Sequence, residues 1–206
     1  MRALRTRTVW QNRPAHPRAH RRAARRLAGG PRGGYDAGGM EMFQLVDSGG
    51  RPIGSAERAA CHGNPALVHA VVHLHVLDRS GRLYLQRRSD TKDTNPGRWD
   101  TSVGGHVAAG EPVADALGRE AREELGIDAT GARPLFAYLY RSRFESEYAH
   151  CFALAYDGPF RIDPVEIAEG RFFTFAEIEA MRGTGTLTPM FEHELPMLRQ
   201  ALAAHA

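Results

Sequence analysis

The segment GGHVAAGEPVADALGREAREELGI, residues 104–127, constrains this chain more than any other stretch. Its second part predicts an amphipathic helix over 112–125, with Pro112 suited to a first turn and Gly126 to a left-handed stop. A glycine-rich loop feeds that helix. The helix also carries an internal cost, because Glu120, Glu123 and Glu124 crowd onto about one turn. Like charges three and four residues apart repel by roughly 0.2–0.5 kcal/mol per pair. Something outside the helix has to offset that repulsion.

The flanking text is strand-rich. FQLVDSGGRPIG reads as a strand, a glycine turn and a second strand. ERAACHGNPALVH reads as a short helical or irregular connection, and the alternating β-branched run 69–78 as a strand. Further strands are predicted over 82–89 and 99–107, two long ones around Glu145, and one before a helix that begins near Phe175. TPMFEHELPMLRQALAAHA predicts a C-terminal helix. The order is that of a mixed sheet flanked by helices, an α/β or α+β layered domain.

Charge divides the chain in two. Residues 1–39 hold ten of the 27 basic residues and one acid, Asp36, for a net charge of +9. The remaining 17 basic and 23 acidic residues give −6. The tail is rich in Arg, Ala, Gly and Pro without a sustained apolar face, which predicts disorder. It reads as a nucleic-acid arm, a targeting peptide or a segment without specific function, and the last reading is preferred. Ordinary globular sequence begins at Met40 and Met42, either of which would serve as a start. The acidic body gives no support for nucleic-acid binding across the domain. No stretch is apolar enough to span a bilayer. Cys61 and Cys151 match no metal or disulfide framework and suit a reducing cytoplasm.

The three carboxylates make chemical sense against a divalent cation. Mg²⁺ prefers hard oxygen ligands and is held by one or two carboxylates plus substrate phosphate oxygens. Its charge would offset the repulsion. The loop GGHVAAG lets backbone groups approach an ion or a phosphate. Arg119 is placed to orient Glu120 or to pair with Glu111. The alternative is a solvated acidic face with Arg119 and Arg122 interleaved.

The full spacing is more specific. Gly105, five residues, Glu111, seven residues, then Arg119-Glu120-Ala121-Arg122-Glu123-Glu124-Leu125-Gly126-Ile127 resembles the Nudix box GX5EX7REUXEEXGU, with U apolar. All nine specified positions over 23 residues are filled. The resemblance implies a Nudix α/β/α sandwich over roughly 42–204, which leaves residues 1–39 as a tail and 40–206 as the domain. It implies hydrolysis of a diphosphate linkage in a nucleoside diphosphate derivative or a related organic diphosphate. By position, Glu120, Glu123 and Glu124 would hold Mg²⁺ or Mn²⁺, with the Gly104 carbonyl as a further ligand. Glu120, or a residue outside the box, would be the general base, positioned by Glu111 and Arg119.

A second constellation involves histidines. His62 and His69 lie seven apart, His106 falls within the box loop, and His73 and His75 share a strand face with His69. Glu145 and Glu147 alternate, so on one strand both would face the same side. Such histidines are ordinary core or surface residues, or three of them together with the two glutamates form a second site for Mn²⁺, Fe²⁺, Zn²⁺ or Mg²⁺. The frame is similar to the metal site of type I isopentenyl-diphosphate isomerases, a Nudix-fold family. That resemblance implies His62, His69, His106, Glu145 and Glu147 as ligands, with Glu124 nearby, and Arg88 and Lys92 as the diphosphate anchor. The chain departs from the isomerases at one decisive position. Their catalytic cysteine lies two residues ahead of the histidine matched by His106, where this chain has Gly104. The box, eroded in the isomerases, is intact here.

The expectation is therefore a metal-dependent diphosphohydrolase of the isomerase-like branch, acting on a small molecule, without membrane attachment and with a homodimer left open. The runners-up are a ligand-binding Nudix module and an isomerase-like enzyme of prenyl diphosphates. Loops 90–98, 128–133 and 182–190 are the expected selectors of the leaving group. Trp99, Tyr138, Tyr140 and Phe144 are placed to stack on a base or to fill the core.

Overall fold

The computed structural model describes residues 40–204, so the expectations for 1–39 fall outside the described residues. The hairpin is β1 (Met42–Val46) and β2 (Pro52–Glu57), followed by a single helical turn, α1 (Arg58–Cys61). β3 (Val68–Leu77), β4 (Leu83–Arg88), β5 (Trp99–Asp100) and β6 (Val103–His106) precede α2 (Val113–Leu125). Then come β7 (Arg133–Arg141), β8 (Ser146–Ala155), β9 (Ile167–Phe173), α3 (Phe175–Met181) and α4 (Pro189–Ala203).

All nine strands join one mixed sheet organised on β3, which runs parallel to β8 and antiparallel to β1, β4 and β6. β3 is buried along its whole length, so side-chain alternation sorts its residues between two covered faces. Ala70, Val72, Leu74 and Val76 pack with Ala116, Leu117, Ala121 and Leu125 of α2. The opposite face is covered by Ile178 of α3 and by Phe191, Leu195 and Leu198 of α4, packed on Leu77, Leu83, Leu85, Trp99 and Phe173. His69, His73 and His75 belong to this second face, where buried polar groups need partners.

Helix ends follow local chemistry. Pro112 is the N-cap of α2, at φ −62° and ψ 140°, one position before the first turn that the sequence suggested. Gly126 adopts φ 65° and its N–H bonds Arg122 O at 3.1 Å, while Ile127 N reaches Ala121 O at 3.2 Å. Thr174 and Glu177 close a capping box on α3, and Thr188 with Pro189 opens α4.

Two expectations need correction. The strand over 99–107 is broken at Thr101 and Ser102, whose buried hydroxyls serve the backbone instead. Thr101 Oγ1 donates to Leu74 O at 3.1 Å, Ser102 Oγ donates to Tyr84 O at 2.5 Å, and Ser102 Oγ accepts from Val76 N at 2.8 Å. Glu145 also lies just outside β8. It closes a tight turn in which Ser142 N donates to Glu145 O at 2.9 Å and Glu145 N donates to Ser142 Oγ at 2.9 Å.

Candidate active site

A cavity of about 1010 Å³ opens where β6, α2, the β4–β5 loop and the start of β8 meet. Every residue expected to bind metal, act in catalysis or anchor the diphosphate lines it except His69 and Glu111, which lie directly behind lining residues.

The box residues form a clamped group. Arg119 Nη2 donates to Glu111 Oε2 at 2.8 Å and to His106 O at 2.9 Å, and Arg119 Nε donates to Glu111 Oε1 at 3.0 Å. Arg119 Nη1 donates to Glu120 Oε1 at 2.7 Å and reaches Glu123 Oε2 at 3.4 Å. Glu111 also accepts from Ala108 N at 3.0 Å, which fixes the loop before α2. Burial opposes ionisation of Glu111, but Arg119 and the Ala108 N–H outweigh it and hold its carboxyl below the usual range. The arginine therefore joins loop, helix and β6, and aims Glu120.

Glu120 and Glu124 are pressed against the backbone of β6. A Cβ on Gly105 would overlap the Glu120 carboxyl, so glycine is needed there for the close approach. Glu124 Oε2 accepts from Gln86 Nε2 at 2.9 Å and from Gly104 N at 3.4 Å. Burial raises Glu120's pKa, with Arg119 opposing. Burial and the neighbouring Glu120 push Glu124 up to about 8. Glu123 is mostly exposed at the rim. A buried and a largely buried carboxylate at one glycine strand fit a hard divalent cation, which would remove the penalty both of them carry.

Gly104 differs from Gly105. A Cβ there meets Thr101 Cγ2 at 3.5 Å and His73 Cδ2 at 3.6 Å, ordinary contacts. Gly104→Ala is therefore expected to keep the wild-type melting midpoint. Gly105→Ala is expected to displace Glu120 and cost about 10²-fold in turnover, the usual scale for a misplacement of ångström size. Thermal melts and steady-state rates of the two variants check this, and an unaltered rate in Gly105→Ala would remove Glu120 from the machinery.

The second constellation also assembles. His69, His106 and Glu147 offer ligand atoms within 4.8 Å of one another. His62 Nε2 lies 3.5 Å from Glu145 Oε2, and His69 Nε2 lies 4.0 Å from Glu147 Oε1. Buried His62 Nε2 and both ring nitrogens of His69 lack hydrogen-bond partners among the described residues. Phe43 stacks on His106 at 3.9 Å between centroids and 8° between planes, holding that ring in place. Burial, then the neighbouring His62, lowers His69 to about 4, and burial, then His69, lowers His106 well below its ordinary value. Burial, then Glu145, pushes Glu147 up to about 8. Neutral imidazoles with orphaned nitrogens beside two carboxylates are the donor set a transition metal takes.

The two residues expected to anchor a diphosphate, Arg88 and Lys92, line the same cavity. Arg88 Nε donates to Thr94 O at 3.0 Å, with Asp100 Oδ2 3.5 Å from Nη1, and Lys92 pairs with Glu166. Of the expected selector loops, Lys92–Asn95 and Thr188–Met190 line the cavity. The 128–133 loop does not. It borders a separate hollow of about 360 Å³ with Leu77 and Ala153–Tyr156. Tyr140 and Phe144 line the cavity, whereas Trp99 is in the core and Tyr138 bonds Glu194.

Sequence reading missed Gln86, Phe43 and Glu194. Gln86 is buried at the end of the apolar run Leu83–Leu85, and Glu194 falls on the apolar stripe of Phe191, Leu195 and Leu198. A polar residue on an apolar stripe was the available signal.

A mixed sheet between helices, with a glycine strand under an arginine-clamped glutamate helix, defines a Nudix-type α/β/α sandwich. The chain belongs to the Nudix family: a profile of the NUDIX domain matches residues 67–193. An isopentenyl-diphosphate Delta-isomerase of Brevibacterium linens is 37% identical over 147 residues, 68% of this chain and 81% of that protein. An uncharacterized Nudix hydrolase of Listeria monocytogenes is 33% identical over 169 residues, 81% of this chain and 99% of that protein. Among solved structures, a Deinococcus radiodurans protein superposes with a TM-score of 0.63 at 28% identity, covering 72% of this chain and 92% of that one. Among the described residues, no helix is long and apolar enough to cross a membrane.

Proposed function

We propose that residues 40–206 form a divalent-metal-dependent hydrolase that cleaves the diphosphate linkage of a small organic molecule. The observation that carries this reading is the complete Arg119 clamp on Glu120 beside Glu124, at a strand whose position 104 offers no thiol. Glu120, Glu123 and Glu124, with the Gly104 carbonyl, would hold Mg²⁺ or Mn²⁺, which supplies charge neutralisation, a polarised phosphoryl oxygen and an activated water. Glu120 Oε1 is engaged by Arg119, so its other oxygen is left to take the proton of the attacking water as the bridging P–O bond breaks. Arg88 and Lys92 anchor the far phosphate, exchanging Asp100 and Glu166 for it. Thr188–Met190 and Lys92–Asn95 select the leaving group.

The histidine cluster favours a second reading, in which the substrate is a prenyl diphosphate and His62, His69, His106, Glu145 and Glu147 hold a second metal. Both readings meet one test. Nucleoside triphosphates, nucleotide sugars, NADH, dinucleoside polyphosphates and isopentenyl and dimethylallyl diphosphates are incubated with the protein in Mg²⁺, in Mn²⁺ and in EDTA. Metal-dependent cleavage of any of them supports the hydrolase. Interconversion of the two prenyl diphosphates without cleavage replaces it by the isomerase, and no turnover by folded, metal-loaded protein leaves a binding module.

A further inference from the structure

Beneath the cavity, His73, Cys151 and Glu194 bring three metal-ligating atoms within 4.8 Å of one another, and the roles above use none of them. His73 on β3 and Cys151 on β8 are paired across the parallel ladder, and Glu194 reaches them from α4. Sequence spacing does not reveal the group, because Glu194 lies 43 residues from Cys151 and 121 from His73.

Glu194 is fully buried, yet its two oxygens are served unequally. Oε2 accepts from His73 Nδ1 at 2.7 Å, from Tyr138 Oη at 2.9 Å and from Cys151 Sγ at 3.1 Å. Oε1 has no hydrogen bond among the described residues, although His75 Nε2 lies 2.9 Å away. Thr101 explains why. Its hydroxyl gives its proton to Leu74 O, so at 3.1 Å it accepts from His75 Nδ1–H, and Nε2 of the neutral ring keeps a lone pair. Two acceptors therefore face each other in the core. Buried polar atoms without partners and a buried anion are both costly, and a cation at the carboxylate relieves both.

We propose that His73 Nδ1, Cys151 Sγ and Glu194 hold a Zn²⁺ ion that ties α4 to β3 and β8, at a site separate from both metal clusters described above. The donor set selects the metal, since thiolate and imidazole favour zinc over Mg²⁺ and Mn²⁺. Three protein ligands leave the fourth tetrahedral position to water, and Tyr138 stays as an outer partner that orients the carboxylate. Thiolate and carboxylate together cancel the charge of the ion, so the loaded core carries no net charge. Binding displaces the protons that Cys151 Sγ and His73 Nδ1 now give to Glu194, and the neutral ring of His73 keeps its one proton on Nε2. Tetrahedral ligands at bonds of about 2.0–2.3 Å stand about 3.3–3.6 Å apart, so these donors spread from the carboxylate by roughly half an ångström. His73 lines the cavity, which gives the ion a way in.

The test is a titration of the reduced full chain with Co²⁺, whose thiolate complexes show an intense near-ultraviolet charge-transfer band that cobalt on imidazole and carboxylate lacks. The chain has two cysteines, Cys61 and Cys151. The band is expected in wild type and in Cys61→Ala, is expected to be lost in Cys151→Ala, and is expected to bleach when Zn²⁺ displaces Co²⁺. Glu194→Gln is expected to weaken the cobalt complex by roughly tenfold or more. A wild type without the band, a band that Cys151→Ala keeps, one that Cys61→Ala abolishes, or unchanged cobalt affinity in Glu194→Gln overturns the inference. If Cys151→Ala does not fold, Cys61→Ala decides by the same band.

Discussion

Glu124→Gln is expected to lower kcat by about 10³-fold while raising the stability of the metal-free protein. The rate loss follows from removing a proposed metal ligand, whose loss would cost several kcal/mol of transition-state stabilisation at ~1.4 kcal/mol per decade. The stability gain follows from burial. Glu124 is 7% exposed, and burial with Glu120 alongside raises its pKa to about 8. In the unfolded chain it ionises near the ordinary value of 4.5. Between these values the folded protein holds a proton that the unfolded chain has released, so this group disfavours folding increasingly as pH rises. Glutamine keeps the shape and does not titrate. The gain is therefore small at pH 5 and largest above pH 8. Glu123→Gln is expected to lose turnover as well, but without the gain, because its side chain is 61% exposed and already solvated. Rates in Mg²⁺ and melts in EDTA across pH separate the two effects. Full turnover in Glu124→Gln would remove it from the ligand set. A lower melting midpoint at pH 8 would show that its bonds from Gln86 and Gly104 outweigh the charge.

That pairing of opposite outcomes explains why parts of the site were legible in the sequence and others were not. The box is local: Glu120, Glu123 and Glu124 share one helix, and their spacing alone states that they share a face. The strands and helices around it were legible for the same reason, since period and punctuation act within a dozen residues. Where a local rule failed, a long-range contact had won. The strand over 99–107 breaks because Thr101 and Ser102 serve backbone groups of β3 and β4. Glu194 was invisible because its partners, His73, Tyr138 and Cys151, come from three strands between 43 and 121 residues away. His73 and His75 read only as sharing a strand face with His69, and the packing of α4 shows that they turn to a buried carboxylate. The resemblance to the isomerases suggested the five-residue His/Glu set across such distances. It had no means of identifying Gln86 or Phe43, which act through Glu124 and His106.

The metal-free protein is expected to be most stable between about pH 5 and 6.5, and divalent metal is expected to widen that range at both ends. On the acid side, His69 is lowered by burial and the neighbouring His62 to about 4. Its contribution is complete above the unfolded value of 6.5 and is lost as pH falls through 4. His106, lowered by burial and His69, acts in the same direction. On the alkaline side, Glu124 and Glu147 are both raised to about 8, so each disfavours folding more as pH climbs from 4.5 to 8. His73 adds to that decline. Glu194 outweighs burial and raises it to about 9, so the stability it brings is complete below 6.5 and lost as pH rises through 9. At ~1.4 kcal/mol per pKa unit, these terms sum to a loss of several kcal/mol at each end. A bound divalent cation needs ionised carboxylates and neutral imidazoles, which is the state the empty site resists at high pH and loses at low pH. Mn²⁺ should therefore abolish the share of the alkaline decline that belongs to Glu124 and Glu147, and leave the share of His73. Melting midpoints from pH 4 to 9, in EDTA and in Mn²⁺, resolve the two shares, and Glu194→Gln removes the second. A metal-free profile that rises steadily from pH 6.5 to 8 would contradict the burial of both glutamates as proton-holding groups. A profile in Mn²⁺ that overlays the one in EDTA would mean that neither cluster binds metal.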